Sequence, residues 1–272
     1  MAVCVDPKLT YLNDLGYNVL RLPREGIAPL GVIGADGTSK SWLGTLDQIW
    51  KSEITVPVAG PQQAAGAISG FCTSDLKLSA GLEILANALN GMFGGKAPDV
   101  SGEYHDAKSM QFELGNVTVS GIDPFVIGNY VAKGELAAQN PFVRRYFSGE
   151  KGTKALVISQ VLLAKSVKVT GKKDASTTVN VNVPAIQAAL SAKGGVTVSS
   201  SDSTSVTYEN AVPLVFGFQV FEIAYTAGQW EFRGVKPSAA VSFSEYAEAA
   251  SDSRPDLPIV NEAELVEIDF PQ

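Results

Sequence analysis

Residues 155–170, ALVISQVLLAKSVKVT, contain neither glycine nor proline and are rich in β-branched side chains. Such a run reads as one long strand. Val157, Val161, Leu163, Val167 and Val169 share one face, and the other face turns polar toward the end at Ser166, Lys168 and Thr170. Further strands are legible around it. SMQFELGNVTVSG (109–121) alternates, with a change of parity at Gly115-Asn116 that predicts a bulge. GVTVSSSDSTSVTYE (195–209) alternates with Val196, Val198, Val206 and Tyr208 on one side. LVFGFQVFEIAYTAGQWEF (214–232) reads as a long apolar strand turning at Ala227-Gly228. LGYNVLRLPR (15–24) and IAPLGVIGADG (27–37) add two more, and ITVPV (54–58), with its proline, belongs at an edge.

Helices are short by comparison. LSAGLEILANALNGMF (78–93) has the clearest 3.6-residue period and is stopped by Gly94-Gly95. WLGTLDQIW (42–50) has helical spacing, and residues 6–15 suggest a further turn or two. Asp123-Pro124 and Asn140-Pro141 each combine a capping side chain with proline at the first helical position. PAIQAALSAK (184–193) is a helix closed by Gly194-Gly195. The expected class is α+β, long antiparallel strands interrupted by several short helices.

The chain of 272 residues carries a net charge of −7, unevenly placed. Residues 244–272 hold eight acids and only Arg254 as a base, so this tail accounts for all of the net charge and the body is neutral. Mid-chain, Arg144, Arg145, Lys151, Lys154, Lys165, Lys168, Lys172 and Lys173 face Glu150 alone. The bland reading is a solvated lysine-rich edge that discourages aggregation. The functional reading is contact with acidic lipid headgroups, each base contributing about 1 kcal/mol near an anionic surface. No motif for nucleic acid accompanies these bases, so nucleic acid is not expected as a partner.

Catalytic chemistry finds little support. The single histidine, His105 in EYHD, lacks a nucleophile motif, and Cys72 in GFCTSD matches none. GKKD (171–174) lacks the spacing of a phosphate-binding loop, and the metal-ligating types do not cluster. No enzyme, metal or diffusible cofactor is expected. The start, Met-Ala-Val-Cys, has no basic and apolar leader, and no run of 18 apolar residues exists. The expected location of the inactive protein is therefore cytoplasmic.

Three features remain for function. Cys4 lies among small apolar residues and suits acylation, while Ala2 rules out N-myristoylation. The strands 109–121, 155–170 and 195–209 have the length and alternation of membrane β-strands, and helix 184–193 interrupts a prospective hairpin, as in a segment that refolds. Finally, Ile259, Val260, Leu265, Val266, Ile268 and Phe270 are apolar positions on the otherwise acidic tail. The alternation of Val266, Ile268 and Phe270 with Glu267 and Asp269 predicts a docked strand with the acids facing out, whereas a mere solubility tail would not alternate. SRPDLP (253–258) reads as a linker.

The cysteine-bearing start followed by YLNDLGYNVLRLPREGIAPLGVIG (11–34) resembles the bacterial gasdermins. So does the order ALVISQVLLAKSVKV, helix, GVTVSSSDSTSVTYENAVPLVFGFQVFEI, QWEF. The resemblance covers most of residues 4–235. It implies a twisted antiparallel β-sheet core of the gasdermin N-domain type, with a pore-forming domain at 1–243, a protease-sensitive linker at 244–258 and an autoinhibitory peptide at 259–272. A partner protease, often caspase-like, would cut the linker, with Tyr246, Ala247, Asp252 and Arg254 in the cleavage region. The soluble monomer would then insert β-hairpins (62–83 with 107–121, and 155–170 with 195–209) into the inner membrane. There it would oligomerise into a large pore and kill the cell as antiviral defence, with a palmitoyl group on Cys4. The competing expectation is a non-enzymatic structural or binding module, of virion or scaffold type, with a docking tail.

Overall fold

The computed structural model describes residues 16–36, 39–65, 68, 75–95, 97–137, 140–147, 152–174, 176–191, 195–226, 229–233, 268 and 270. In chain order its strands are β1 (Asn18–Arg24), β2 (Gly31–Asp36), β3 (Ser39–Thr45), β4 (Trp50–Ser52), β5 (Gln63–Ala64), β6 (Leu76–Lys77), β7 (Ser109–Gly115), β8 (Thr118–Gly121), β9 (Gly134–Leu136), β10 (Thr153–Lys172), β11 (Val196–Asp202), β12 (Ser205–Thr226) and β13 (Gln229–Arg233). The α-helices are α1 (Leu46–Ile49), α2 (Leu78–Met92), α3 (Pro124–Ala132), α4 (Pro141–Arg144) and α5 (Val183–Ser191). Single 3-10 turns occupy Ser101–Tyr104 and Arg145–Phe147.

The axis of the fold is the antiparallel pair β10 and β12, of 20 and 22 residues. Along its other edge β10 meets β2, then β8, then β7. The other edge of β12 meets β13, β1 and β11 in turn. With β3, β5 and β6 this makes one sheet of eleven strands among the described residues, while β4 and β9 form a separate ribbon.

The two halves of the sheet are buried differently. In the half nearest β2, residues Ala155, Leu156, Val157, Ile158 and Ser159 of β10 are all buried, so both faces are dry. One face packs Val32, Val157 and Ile223 against α1, α3 and the turn around Phe147. The other face presents Ile33, Leu156, Ile158, Phe218 and Val220. In the half nearest β7 only one face is dry. Phe112, Val167, Val169, Val206 and Tyr208 lie under Leu85 and Leu89 of α2 and Ile186 and Leu190 of α5.

Local chemistry places the breaks in this sheet. Asn116 adopts φ 52 between β7 and β8, the left-handed geometry that asparagine tolerates, but the expected bulge is not found: β7 and β8 keep one register against β10 on either side of it. Asp123 caps α3 by accepting from Phe125 N–H at 2.8 Å, with Pro124 following. Two further expectations change. Residues 42–50 are not one helix: β3 runs to Thr45 because it pairs with β2, and only Leu46–Ile49 turns helical. That single turn is stitched by Thr45 N–H donating to Gln48 Oε1 at 3.1 Å. Residues 195–209 are not one strand either. The chain reverses between Asp202 and Ser205, so Val198 faces Tyr208 and the whole segment keeps one apolar side. Consequently β10 pairs with β12 and not with β11.

The reversal is held by one carboxylate. Asp202 accepts from Thr204 N–H at 2.8 Å, Thr204 Oγ1 at 2.7 Å and Ser205 Oγ at 3.0 Å. These donors, led by Thr204, hold the Asp202 carboxyl well below the usual carboxylate range. A depressed pKa contributes stability that is present above the unfolded-state value of about 3.9 and is lost as pH falls through the folded value. Asp202→Ala is expected to lower stability by about 1 kcal/mol at neutral pH. Thermal denaturation from pH 7 down to pH 2 should show the gap between variant and parent closing as the parent's carboxylate is protonated.

Candidate functional site

The apolar face opposite the helices is where the C-terminal tail lands. Ile268 is 9% exposed and belongs to the cluster of Leu20, Ile33, Leu156, Ile158 and Phe218. Two residues further on, Phe270 stacks on Trp42 with ring centroids 5.2 Å apart and planes at 23°. The Arg24 guanidinium carbon lies 3.6 Å from the centre of the same Phe270 ring. Ile268 and Phe270 thus both pack against this apolar face.

Each partner is placed by the sheet. Arg24 ends β1, after a shift of register between Val19 and Arg24 against β12. Trp42 sits on β3 opposite Ile33. Its indole lies over Gly31, where a Cβ would come within 2.2 Å of the ring. Glycine at 31 is therefore what lets the indole lie flat beside the groove. Burial lowers the pKa of the Arg24 guanidinium from its ordinary value, and Arg24 Nε is buried without a hydrogen-bond partner among the described residues. A desolvated cation over an aromatic face interacts more strongly than an exposed one, by up to about 2 kcal/mol.

The second element is the one-sided half of the sheet. Its wet face carries Gln111 and Glu113 of β7, Lys168 and Thr170 of β10, and Thr207 and Glu209 of β12. The expected basic patch is met by acids here and nearby. Arg145 pairs with Asp36 and also stacks on Tyr146. Lys154 pairs with Glu222 at 3.2 Å, Lys165 with Glu209 at 3.2 Å, Lys168 with Glu113 at 4.0 Å and Lys172 with Asp75 at 3.0 Å. Arg144 and Lys173 are exposed. Each carboxylate comes from a different part of the chain, so the linear run of bases is not a run of unopposed charge in space. Any anionic headgroup meeting these five bases has to displace a carboxylate.

His105 is exposed, with Nδ1 at 2.8 Å from Gly102 O and Nε2 at 3.4 Å from the Asp106 carboxylate. Cys4, Lys151, Tyr246, Ala247, Asp252, Arg254, Ile259, Val260, Leu265 and Val266 lie outside the described residues. Arg24 and Trp42 were not singled out from the sequence. For Trp42 the signal was a tryptophan on the short, largely polar strand SKSWLGT.

The family model described as the Bacterial Gasdermin Family matches residues 20–229. This chain belongs to the bacterial gasdermin family. A gasdermin of Vitiosangium sp. (strain GDMCC 1.1324) is 33% identical over 274 residues, covering 99% of this chain and 99% of that protein. A gasdermin of a Desulfuromonadales bacterium is 28% identical, covering 92% and 93%. Among solved structures, a bacterial gasdermin from Bradyrhizobium tropiciagri superposes with a TM-score of 0.59 at 18% identity, over 84% of this chain and 90% of that one. The sheet built on β10 and β12 is thus the gasdermin fold, and the family is one of pore-forming proteins.

In this gasdermin the contact of Phe270 can be tested by one side-chain truncation. Phe270→Ala removes the stacking on Trp42 and the cation–π contact with Arg24, together worth about 1–3 kcal/mol. The expected result is faster amide exchange at Ile268 and a red-shifted tryptophan emission as the Trp42 indole meets water. Thermal unfolding of the rest of the chain should change little.

Proposed function

We propose that this gasdermin is a pore former held inactive by its own C-terminal peptide, residues 259–272, and released by proteolysis of the linker 244–258. The observation that carries the reading is the contact of Ile268 and Phe270 with Leu20, Ile33, Trp42 and Arg24 on an otherwise dry sheet face.

The magnitudes suit a releasable brake. Burying Ile268 and half-burying Phe270 contributes about 1.5–3 kcal/mol each at most, before the cost of ordering the tail. With the aromatic contacts, the net is on the order of 5 kcal/mol, a dissociation constant near 0.1–1 mM. A tether holds the peptide at roughly millimolar effective concentration, so the groove is mostly occupied while the chain is intact. Once cut, the peptide at micromolar concentration dissociates. Its departure after a cut at Asp252 also removes five acids and one base, a net charge of −4, which lessens repulsion from an anionic membrane.

The body would then expose its apolar sheet face, and the one-sided half would supply membrane strands. β7, β10 and the start of β12 already alternate between an apolar and a polar side. Lipid would take the place of α2 and α5 on the apolar side, and several copies would close the barrel, since an open sheet edge does not survive in hydrocarbon. A palmitoyl group on Cys4 would add membrane affinity of about 0.8 kcal/mol per buried CH₂. Cleavage after Asp252 by a caspase-like protease fits the linker, and the target is the inner membrane of the cell, with death as an antiviral outcome. The bases Arg144, Arg145, Lys154, Lys165, Lys168, Lys172 and Lys173 would meet lipid headgroups as their carboxylate partners separate.

The test is a full-length chain with a specific protease site engineered at residue 252, incubated with dye-loaded vesicles of phosphatidylethanolamine and phosphatidylglycerol. Vesicles are expected to stay sealed with uncut protein and to leak within minutes of adding the protease. Sealed vesicles after complete cleavage would sink the reading. Phe270→Ala in the uncut chain is expected to leak measurably, at a rate up to about tenfold above the intact parent.

A further inference from the structure

Two tyrosine hydroxyls meet inside the one-sided half of the sheet. Tyr104 and Tyr208 are each 0% exposed, and their oxygens are 2.8 Å apart. Among the described residues each hydroxyl has the other as its hydrogen-bond partner. Tyr104 ends the 3-10 turn Ser101–Tyr104 on the connection from α2 to β7. Tyr208 lies on β12, opposite Val167 of β10. To bridge them the Tyr104 ring passes over β10 at Gly171, where an added Cβ would lie 3.6 Å from Tyr104 Cδ1 and 2.8 Å from Val179. Glycine there makes room for Val179, while the Tyr104 ring lies at ordinary contact distance.

The positions matter more than the bond itself. Tyr104 is continuous with α2 and β7, the first stretch expected to refold. Tyr208 is continuous with β11 and β12, and packs in one cluster with Ile186 and Leu190 of α5. The hydrogen bond is a polar link between the connection that follows α2 and strand β12, in an otherwise apolar layer. Burial raises the pKa of both phenols, so both are neutral donors at any physiological pH. Separation by less than 1 Å leaves two hydroxyls unpaired in a dry core, and such a group is costly until water reaches it. Opening the segment of α2 and β7 alone therefore strands the Tyr208 hydroxyl, and opening the segment of β11 and β12 alone strands that of Tyr104.

We propose that the Tyr104–Tyr208 hydrogen bond is a clasp that makes the two membrane-hairpin segments of this chain open as a single unit. The proposal rests on the reading that α2 and α5 must leave the apolar face before lipid can occupy it. It makes Tyr104 and Tyr208 positioning residues for the transition, distinct from the tail contact that holds the chain inactive.

The experiment uses the full chain with the engineered cleavage site, the same vesicles, and four variants: Tyr104→Phe, Tyr208→Phe, the double variant, and Tyr130→Phe. Tyr130 is the control, a buried tyrosine donating to Trp50 O at 3.3 Å in the other half of the sheet. Each single variant at the clasp leaves one orphaned hydroxyl in the closed form and is expected to speed leakage after cleavage by about tenfold. The double variant has no orphan and should leak more slowly than either single one. Tyr130→Phe should leak at the parent rate. Amide exchange in uncut protein supplies the second readout: α2 and α5 are expected to share one opening rate in the parent and to separate by about tenfold or more in the double variant.

Leakage at the parent rate in both single variants, or equal acceleration by Tyr130→Phe, would overturn the clasp. So would α2 and α5 continuing to exchange together in the double variant. If the cleaved parent never leaks, the pore reading fails, and the clasp is then decided by the exchange measurement alone.

Discussion

Everything in this molecule hangs on a strand that is dry on both sides. Residues 155–159 of β10 are buried without alternation, between β12 on one edge and β2 on the other. A strand buried on both faces needs two covers, because each uncovered apolar side chain leaves about 25 cal/mol per Å² of stabilisation unrealised. One cover is built from α1, α3 and the turn around Phe147, locked by the aromatic group of Trp50, Phe147 and Trp230. On the opposite side, the described residues at the cluster's margin include Trp42, Ile27, Ile268 and Phe270. Among the described residues, Ile268 and Phe270 from the far end of the chain thus contribute to the second face. A large exposed apolar face on a soluble protein marks an interaction site. Uncovering this one changes what the protein can bind without changing the sheet beneath it.

Farther along the same strand the requirement relaxes. From Ser166 onward, apolar residues of β10 point one way and polar residues the other, and β7 and β12 match that alternation. The ion pairs on the wet side, Lys165 with Glu209 and Lys168 with Glu113, link neighbouring strands at 37–45% side-chain exposure. Pairs this exposed contribute about 0–1 kcal/mol. They set register more than they hold the sheet together. The sheet is thus firm where β10 is dry on both sides and separable where it is dry on one, which is the distribution a chain needs if part of it refolds while part stays.

Much of this was legible because it is local. Sixteen residues without glycine or proline, an aspartate before Pro124 and the period of residues 78–93 each carry their own geometry, and each element stands close to where it was expected. What the sequence left hidden is non-local. Trp42 and Leu46 share helical spacing, but the ladder between β2 and β3 outweighs a weak helix of nine residues and draws Ser39–Thr45 into the sheet. The reversal at Asp202 is invisible to an alternation test, since a tight turn between paired strands preserves which side is apolar. The linear cluster of bases lost its apparent meaning for the same reason, because Asp36, Asp75, Glu113, Glu209 and Glu222 arrive from other segments of the chain. The apolar alternation of the tail was readable, yet its partners, Arg24 and Trp42, lie more than 200 positions earlier.

The tail contact itself follows from a trade between holding and letting go. A segment that buried ten side chains would hold the groove nearly as well after cutting as before, since only its tether would be lost. A segment that buried none would never occupy it. Among the described residues of the tail, Ile268 and Phe270 sit between these limits: under the proposed release, two such anchors, one aromatic and set against a half-buried guanidinium, would give an affinity that matters only at the concentration a tether imposes. In the sequence, the acids Glu267 and Asp269 keep the intervening positions polar. Strengthening the contact by replacing these acids with apolar residues would make a better ligand and a worse switch, because the tail would then remain in the groove after the linker is cut.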